Sequence, residues 1–575
     1  MINSSAVLNP NSKSRERSAL PAVCVAAAGA ICLFGQLGAI GLTGPDEPRY
    51  VWIARAMAQT GDWVTPRLYG APWFEKPILY YWAAAIGFRL NLSAEWAARL
   101  PSAFAALVTA IAIAWLARRI YGRREDWSFD PAHVTPLIFA TSVAATGFAR
   151  GATPDMLFSA CIALAMVCAA CLVGDEGVIR GARNERAGAS ANRTAKLLLF
   201  GAFLGAGVLA KGPAAVILAA GALGLWALAT KRWRTVLKLA HPAAIAALCA
   251  VAIPWYAICA MRNPDFLRVF ILQHNFQRYL TPIFEHKQPF WFFGPIFLVA
   301  LLPWTILLWP AAQEGLRLWR EKSWRDSPGF FFACWTISPI LFFSASQSKL
   351  PSYILPSIAP AAIVCAIAGI RAFEQGRKSA APIGVGLSAI WIALAAGAFI
   401  FIRGIDWLSA NPDAISNGAP QSIYTGPILL IVAALAIGIA GVLGNARWAL
   451  GLCALCFVAS VEFANLAILP RVENRYSARP FVQLVSNDAH ASRVFVYQLP
   501  RAWTYGLHFY AQREIPEWSP TDSAPALVLT TPRGLAQIQQ MGRSSGSLGE
   551  TRGGKQPVIY VPVNAAPRPT QQIIQ

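Results

Sequence analysis

The chain has 575 residues, of which 56% are hydrophobic and only 13% are charged, and its mean hydropathy is +0.46. This composition excludes a string of water-soluble domains, a disordered polymer and an extracellular disulfide scaffold, and it is typical of a protein that crosses a membrane many times. The net charge of +21 fits nucleic acid, anionic lipid or membrane topology, so the positions of the charges must decide between them.

Apolar runs close to the length that crosses a hydrocarbon layer of ~30 Å recur along the chain. They predict a polytopic α-helical membrane protein with about thirteen spans, at 19–42, 101–117, 133–149, 154–173, 197–210, 212–230, 241–260, 290–312, 327–345, 351–370, 382–402, 426–445 and 448–469. A Lys-Gly-Pro break separates 197–210 from 212–230, and it fits either two short helices or one kinked helix.

The basic residues indicate an orientation. If residues 1–18 are cytoplasmic, the segments on that side hold about 24 of the 49 Lys and Arg in roughly 90 residues, and the opposite side holds the rest in more than twice that length. Cytoplasmic loops are enriched in positive charge, so most of the excess reflects topology. No basic groove with interleaved aromatics is present, which argues against a nucleic-acid partner. The odd number of crossings predicts that the chain lies outside from about 470 onward.

The first outside segment, 43–100, is too long for a simple connector and is rich in aromatic and charged residues. Asp46 and Glu47 follow the first span directly, and Arg49 comes three residues after Asp46. Amphipathic stretches in the segment predict helices that lie along the membrane surface. Taken alone, these charges also fit ordinary ion pairs on a solvated loop.

Other segments on the same predicted side carry similar groups. They are Glu75 and Lys76 later in the first segment, Arg150 and Asp155 in 148–155, His274 in 260–290, and Lys349 and Tyr353 in 346–353. Cations at the membrane edge suit a phosphate whose lipid tail stays in the hydrocarbon. Carboxylates beside them suit a polyhydroxylated or amino sugar, or a metal ion. This combination predicts group transfer from a lipid phosphate.

The tail, 470–575, has a different pattern. Alternating runs predict strands at 492–497, 504–510, 525–530 and 557–563, and amphipathic stretches predict helices at 477–489 and 531–541. We therefore predict a membrane domain over 19–469 that is followed by a small α/β domain.

Five short motifs together resemble a known family. They are the Asp46-Glu47 pair, RxxxxD at 150–155, WFEKP at 73–77, HNFQRY at 274–279 and SKLPSYILP at 348–356. The set resembles the GT-C glycosyltransferases that use polyprenyl-phosphate sugars, and more narrowly the lipid A 4-amino-4-deoxy-L-arabinose transferases of glycosyltransferase family 83. The resemblance covers roughly residues 35–360 by motif and the whole chain by architecture.

The resemblance implies roles for individual residues. Asp46 would be the main catalytic carboxylate, with Glu47 beside it and Asp155 as a supporting acid. The donor phosphate would be held by Arg49, Lys76, Lys349 and Tyr353. The sugar or the acceptor would contact Glu75, Tyr50 and Arg150. A divalent metal at Glu75 and His274 is left open, and no other cofactor is implied.

The implied reaction moves 4-amino-4-deoxy-L-arabinose from undecaprenyl phosphate to a lipid A phosphate, on the periplasmic face of the bacterial inner membrane. One alternative is transfer of a different polyprenyl-phosphate sugar to a glycan or protein hydroxyl. Another is a transporter or flippase of a lipid-linked sugar. Transporters usually bind near the bilayer midplane and often contain internal repeats, whereas these charges gather at one face and the sequence shows no repeat.

Overall fold

A computed structural model describes residues 10–122, 129–176, 189–277, 288–409, 422–482, 493–522, 524–544, 546–547, 549–550 and 558–564. The first α-helices are α1 (Pro10–Phe34), α2 (Asp46–Thr60), α3 (Leu79–Arg89), α4 (Ala94–Tyr121), α5 (Pro131–Ala140), α6 (Val143–Ala149), α7 (Asp155–Asp175), α8 (Ala189–Lys211), α9 (Ala214–Thr230), α10 (Trp233–Leu237) and α11 (Pro242–Arg262). They are followed by α12 (Phe293–Ala300), α13 (Leu308–Arg320), α14 (Pro328–Ser344), α15 (Ile358–Glu374), α16 (Arg377–Ser409), α17 (Ser422–Val442), α18 (Ala446–Phe463), α19 (Leu469–Tyr476), α20 (Arg501–Ala511) and α21 (Pro532–Gln540).

Shorter helical turns and six strands complete this part of the chain. Single π-helical segments are Arg268–Gln277 and Ala464–Ile468, and 3₁₀ turns are Trp304–Leu307, Trp324–Asp326 and Pro351–Ser357. The strands are β1 (Arg67–Leu68), β2 (Ala71–Pro72), β3 (Val494–Tyr497), β4 (Ala526–Thr530), β5 (Gly549–Glu550) and β6 (Ile559–Val563).

Helices coincide with every predicted span. In the described part of the chain, eight helices are long and apolar enough to cross a membrane, or ten if each of two bent pairs forms one span. The bent pairs are α5 with α6, at 64°, and α12 with the helical stretch Trp304–Arg320, at 107°. Three shorter apolar helices, Leu20–Phe34, α9 and α14, occupy the remaining predicted spans. The prediction of a polytopic helical protein is confirmed, and the number of crossings stays a prediction.

Proline and a capping side chain fix the start of several helices. Asp130 accepts a hydrogen bond from Ala132 N and precedes Pro131, the first residue of α5. The same arrangement recurs at α14, where Ser327 accepts a hydrogen bond from Gly329 N. A capping side chain satisfies one of the free N–H groups of the first turn, and proline at the first helical position has no N–H to satisfy.

Two glycines let α16 and α17 approach each other closely. A Cβ atom added at Gly384 would lie 2.4 Å from the Cα of Gly441, and one added at Gly441 would lie 2.3 Å from the Cα of Gly384. Small residues allow such backbone contact between membrane helices, where packing replaces the hydrophobic effect as the source of association. This contact fixes the relative position of the two helices.

The C-terminal strands form a four-stranded sheet in the order β3-β4-β6-β5, in which β3 and β4 are parallel and the other pairs are antiparallel. A parallel pair needs a crossover connection, which contains α20. One face of the sheet packs Val496 and Leu529 against Leu507 of α20, and the other packs Val528 against Ile538 of α21. The sheet is therefore covered on both sides.

The strand predicted at 504–510 is wrong, because these residues belong to α20. The alternation of polar and apolar residues in TYGLHFY resembles a strand, but Trp503, Leu507 and Tyr510 recur at helical spacing and pack against the sheet. Helix α21 confirms the helix predicted at 531–541. Residues 483–489 of the other predicted helix, at 477–489, lie outside the described residues.

Substitution of Gly384 by Ala should destabilise the protein, because the added methyl group must push α16 away from α17. Overpacking of this kind costs about 1–3 kcal/mol. We expect a lower apparent unfolding temperature in detergent than for wild type. Gly397→Ala is the matched control, since nothing lies within 4 Å of an added Cβ there. Equal unfolding temperatures for the two variants would contradict the close contact.

Candidate functional site

The two adjacent acids that open α2 point in different directions. Successive helical residues are rotated by ~100°, so neighbours in sequence do not share a face. Glu47 is buried, whereas the side chain of Asp46 is 54% exposed. Acidic groups in the first turn of a helix interact favourably with its free N–H groups. The start of α2 therefore accommodates both acids, but leaves only Asp46 exposed.

Glu47 is held in a buried ion pair with Arg99 of α4. Arg99 Nη2 lies 2.8 Å from Glu47 Oε2. The backbone N–H groups of Thr43 and Ala152 also donate to the Glu47 carboxylate, at 2.8 and 2.7 Å. Burial alone would raise the pKa of the Glu47 carboxyl, but Arg99 and the two N–H donors hold this pKa below its usual value.

Arg99 extends this network to the end of the first span. Its Nη1 donates to the carbonyl oxygens of Leu37 and Ile40 at 2.6 and 2.7 Å, and its Nη2 donates to that of Gly41 at 2.9 Å. One guanidinium thus satisfies three carbonyl groups together with Glu47. The segment after α1, the start of α2, α4 and the loop before α7 are joined at this point.

Arg49 connects Asp46 to the second charged pair of the first loop. Its Nη2 lies 2.5 Å from Asp46 Oδ1 and 3.0 Å from Glu75 Oε2. Glu75 Oε1 lies 3.6 Å from Lys76 Nζ. Although burial would lower the pKa of Arg49, Glu75 and Asp46 are among the groups that raise it, so the guanidinium is charged.

Three aromatic rings surround the Arg49 guanidinium. Its Cζ lies 5.2 Å from the centroid of Tyr50, 5.6 Å from that of Trp73 and 5.7 Å from that of Tyr505. Among the described residues, no hydrogen-bond partner meets the buried Nε of Arg49. Tyr505 belongs to α20, so the C-terminal part of the chain reaches this cluster.

Asp155, the first residue of α7, pairs with Lys211, the last residue of α8. Lys211 Nζ lies 5.1 Å from the ring centroid of Tyr353, which brings the 346–353 segment to the same place. Lys76 is close enough to Asp155 and Asp46 for their charges to interact. The structure therefore brings together groups from several separate segments of the chain.

Asp46, Arg49, Glu75, Lys76, Asp155 and Lys211 form what we call the charge cluster. Its three carboxylates and three cations cancel in formal charge. Partial desolvation raises the pKa of Asp46. The negative charges of Glu75 and Asp155 raise this pKa further, whereas the positive charges of Arg49 and Lys76 lower it. The Asp46 carboxyl therefore binds a proton at a higher pH than a free aspartate does.

Two other predicted site residues, Tyr50 and Lys349, are buried. Tyr50 is buried and packs edge-on against Tyr80 and Tyr81, each at 6.1 Å between ring centroids. Lys349 is also buried, and its Nζ donates to Ser346 O at 2.5 Å, within its own loop.

Arg150 reaches toward the first and last spans. Its Nη1 donates to Gly35 O at 2.5 Å, and its Nη2 donates to Asn465 Oδ1 at 2.7 Å. Asn465 in turn donates to Glu462 at 3.2 Å. These contacts place the Arg150 guanidinium in a structural junction between helices.

The predicted metal ligands are not brought into a described cluster. No group of three or more His, Cys, Asp and Glu that could hold a metal ion occurs among the described residues. Glu75 lies between Arg49 and Lys76, and the side chain of His274 lies outside the described residues. A metal at these positions stays a prediction.

A surface cavity of about 500 Å³ opens beside the charge cluster. Its lining includes Trp73 and Glu75 from the first loop and Arg262, Asn263 and Asp265 from the end of α11 and the turn after it. An aromatic ring with carboxylates and an amide is a lining that suits a sugar.

Arg99 and Tyr505 belong to these contacts, but neither residue stands in a motif that marks it. Arg99 lies at the edge of the predicted span 101–117, and basic residues are common at the ends of membrane spans whatever their role. Tyr505 lies in the stretch interpreted as a strand. Lys211 belongs to the Lys-Gly-Pro break between the predicted spans 197–210 and 212–230, and its ion pair with Asp155 brings it to the site.

Comparison with known proteins supports the same interpretation. Residues 38–270 match the family model described as dolichyl-phosphate-mannose-protein mannosyltransferase. The undecaprenyl phosphate-alpha-4-amino-4-deoxy-L-arabinose arabinosyl transferase of Erwinia tasmaniensis is 31% identical over 453 residues, covering 78% of this chain and 76% of that protein. The protein of the same name from Pseudomonas aeruginosa is 30% identical over 512 residues, covering 83% and 85%.

Solved structures share the fold. The crystal structure of ArnT from Cupriavidus metallidurans bound to undecaprenyl phosphate matches with a TM-score of 0.69 at 21% identity, covering 94% of this chain and 97% of that one. The apo structure of the same protein matches with a TM-score of 0.70. The chain is thus a multi-span membrane protein of the GT-C fold. Because the identity extends over more than three quarters of the relatives' length, the chain belongs to the family of undecaprenyl phosphate-alpha-4-amino-4-deoxy-L-arabinose arabinosyl transferases.

Proposed function

We propose that this protein transfers 4-amino-4-deoxy-L-arabinose from undecaprenyl phosphate to a phosphate of lipid A. The observation that carries the proposal is the charge cluster, in which a half-exposed Asp46 lies among cations from several segments. The names of the relatives supply the donor and the sugar. The adjoining cavity, with Trp73, Glu75 and Asp265, has the groups that an amino sugar requires.

The cations serve the departing lipid phosphate. In the donor, the phosphate is a diester with one negative charge. When the bond between the sugar's anomeric carbon and the phosphate oxygen breaks, the phosphate keeps the electron pair and gains a second negative charge. Lys76, Arg49 and Lys211 would stabilise that added charge, and Tyr353 is next to Lys211. The lipid tail can remain in the hydrocarbon throughout.

Asp46 would act on the sugar. A phosphate acceptor is already anionic at neutral pH, so it requires little help from a general base. The carboxylate of Asp46 would then offset the positive charge that develops at the anomeric carbon, or bind the sugar amine. Asp155, paired with Lys211, would tune the position of that cation.

Glu47 would support the site without touching the substrate. Its carboxylate is buried and accepts hydrogen bonds from Arg99, Thr43 and Ala152. We therefore assign it a positioning role in place of the catalytic role that the resemblance implies. Tyr50 would form the buried wall behind Arg49. For Lys349 we propose an indirect role through its own loop, and for Arg150 an indirect role through the junction between helices.

The proposed placement in the cell follows from the positive-inside pattern. We propose that the protein lies in the bacterial inner membrane with residues 1–18 in the cytoplasm, a membrane domain over 19–469, and both the charge cluster and the segment 470–575 in the periplasm.

Transfer to a glycan or protein hydroxyl is the second candidate. The exposed carboxylate of Asp46 favours it, since a hydroxyl nucleophile requires a base.

Purified protein should transfer labelled aminoarabinose from undecaprenyl phosphate to lipid A, and Asp46→Asn should lower kcat roughly 100-fold or more, because the amide cannot offset cationic charge. Glu321→Gln, an exposed acid at the end of α13, is the control and should behave as wild type. Label found on a hydroxyl acceptor but not on lipid A would favour the second candidate. Full activity of Asp46→Asn would remove Asp46 from the reaction.

The activity should fall as the pH falls through the raised pKa of Asp46, because the protonated carboxyl carries no charge. Glu75→Gln should move this acidic limb to lower pH, since the negative charge of Glu75 is one cause of the raised pKa. A limb that reflects the acceptor phosphate would not move in this variant. Profiles of kcat against pH for both proteins provide the measurement.

Glu47→Gln should destabilise the fold by about 3–5 kcal/mol, because it leaves the buried Arg99 without its counter-charge. Asp46→Asn should change the unfolding temperature much less, because the Asp46 side chain is half-exposed. The two variants thereby distinguish an acid that stabilises the fold from an acid that takes part in the reaction. A stable but inactive Glu47→Gln protein would restore Glu47 as a candidate catalytic residue.

A further inference from the structure

The Arg49 guanidinium contacts an aromatic ring from a distant part of the chain. One nitrogen, Nη2, meets both Asp46 and Glu75, so a small rotation of the guanidinium would lengthen both ion pairs. Nε makes no hydrogen bond among the described residues that would fix this rotation. Instead of a hydrogen bond at Nε, the ring faces of Tyr50, Trp73 and Tyr505 surround the guanidinium.

Tyr50 and Trp73 belong to the same loop region as Arg49, but Tyr505 comes from α20. We propose that Tyr505 is a positioning residue of the transfer site, whose ring holds the Arg49 guanidinium between Asp46 and Glu75. This inference rests on the proposed function. It adds the C-terminal part of the chain to the site.

Tyr505 is itself held firmly. Its ring stacks on Tyr69 at 6.5 Å with an interplanar angle of 29°. The Tyr69 hydroxyl is hydrogen-bonded to His508 Nδ1 at 2.8 Å, and His508 Nε2 lies 3.1 Å from Ile515 O. Burial lowers the pKa of His508, so at neutral pH the ring is neutral and Nε2 donates to Ile515 O while Nδ1 accepts from Tyr69.

Two further contacts fasten α20 to the first loop. Arg55 of α2 donates to Phe509 O at 3.1 Å, and its Cζ lies 4.2 Å from the centroid of the Phe509 ring. The Tyr510 hydroxyl accepts from Leu42 N at 2.7 Å and donates to Glu95 at 2.8 Å. Tyr505 therefore stands on a rigid support, which a positioning residue requires.

The ring face is the part of Tyr505 that matters. A cation is attracted to the negative face of an aromatic ring, and this interaction strengthens when both groups are shielded from water. Phenylalanine keeps the aromatic face, whereas leucine keeps much of the side-chain volume but has no aromatic face. Tyr505→Phe and Tyr505→Leu thus form a matched pair. Trp503→Leu, on the same helix but packed against Phe481, reports loosening of α20 alone.

We expect Tyr505→Leu to reduce kcat and the binding of undecaprenyl phosphate each by roughly 5- to 30-fold, and Tyr505→Phe to stay within about twofold of wild type. The acidic limb of the Tyr505→Leu profile should also move to higher pH. Arg49 and Lys76 lower the pKa of Asp46, whereas Glu75 and Asp155 raise it, so displacement of Arg49 raises it further. A purely structural role for Tyr505 would leave this limb in place.

Several results would overturn the inference. Wild-type behaviour of Tyr505→Leu would do so, as would equal losses in Tyr505→Phe and Tyr505→Leu, which would implicate the hydroxyl. If Trp503→Leu loses as much activity as Tyr505→Leu, and the acidic limb of Tyr505→Leu does not shift, Tyr505 only helps to hold α20 in place. If wild type transfers no aminoarabinose, the proposed function fails. In that case the binding of undecaprenyl phosphate to the three variants still decides the role of Tyr505.

Discussion

The buried pair of Glu47 and Arg99 is the constraint on which the region around the charge cluster depends. Removing two charges from water is costly, and it is tolerated only when the remaining hydrogen-bonding capacity is also satisfied. Here carbonyl groups after α1 and N–H groups of two separate loops complete both partners. Because so many groups must be in place at once, α2 can begin in only one position.

That position determines the chemistry nearby. Asp46 precedes Glu47 by one residue and Arg49 follows it by two, so fixing Glu47 fixes the direction of both. The N–H of Ala152 ties the loop before Asp155 to the same carboxylate. A charge cluster with equal numbers of acids and bases then carries no net formal charge, because its ion pairs are formed within the cluster.

Much of this arrangement could be predicted from the sequence. Runs of apolar residues are a strong signal for membrane helices, because nothing else tolerates them at such length. The meeting of Asp46, Glu75, Lys76 and Asp155 followed from placing charged loops on one side of the membrane. Arg99 could not be recognised, since its importance comes from carbonyl groups that have no signature in the sequence. The direction of Arg150 is also invisible, because a loop arginine can turn toward either solvent or a helix junction.

The helix around Tyr505 was missed for a different reason. A short stretch of alternating residues fits a strand or a helix, and only the parallel pairing of β3 with β4, which demands a crossover, decides between them. Long-range pairing of this kind cannot be seen in a local pattern. The same ambiguity concealed the contact with Arg49.

The contact between Arg49 and Tyr505 also bears on how the protein is made. The two residues are separated by most of the chain, and a ribosome adds residues one by one from the N-terminus. When α2 and the first loop have already been synthesised, one wall around Arg49 is still missing. The newly made protein therefore passes through a long period in which its charged groups are present but its arginine is not fully enclosed. The wall that Tyr505 supplies is present only after α20 has been synthesised, so a product that stops before α20 would lack it.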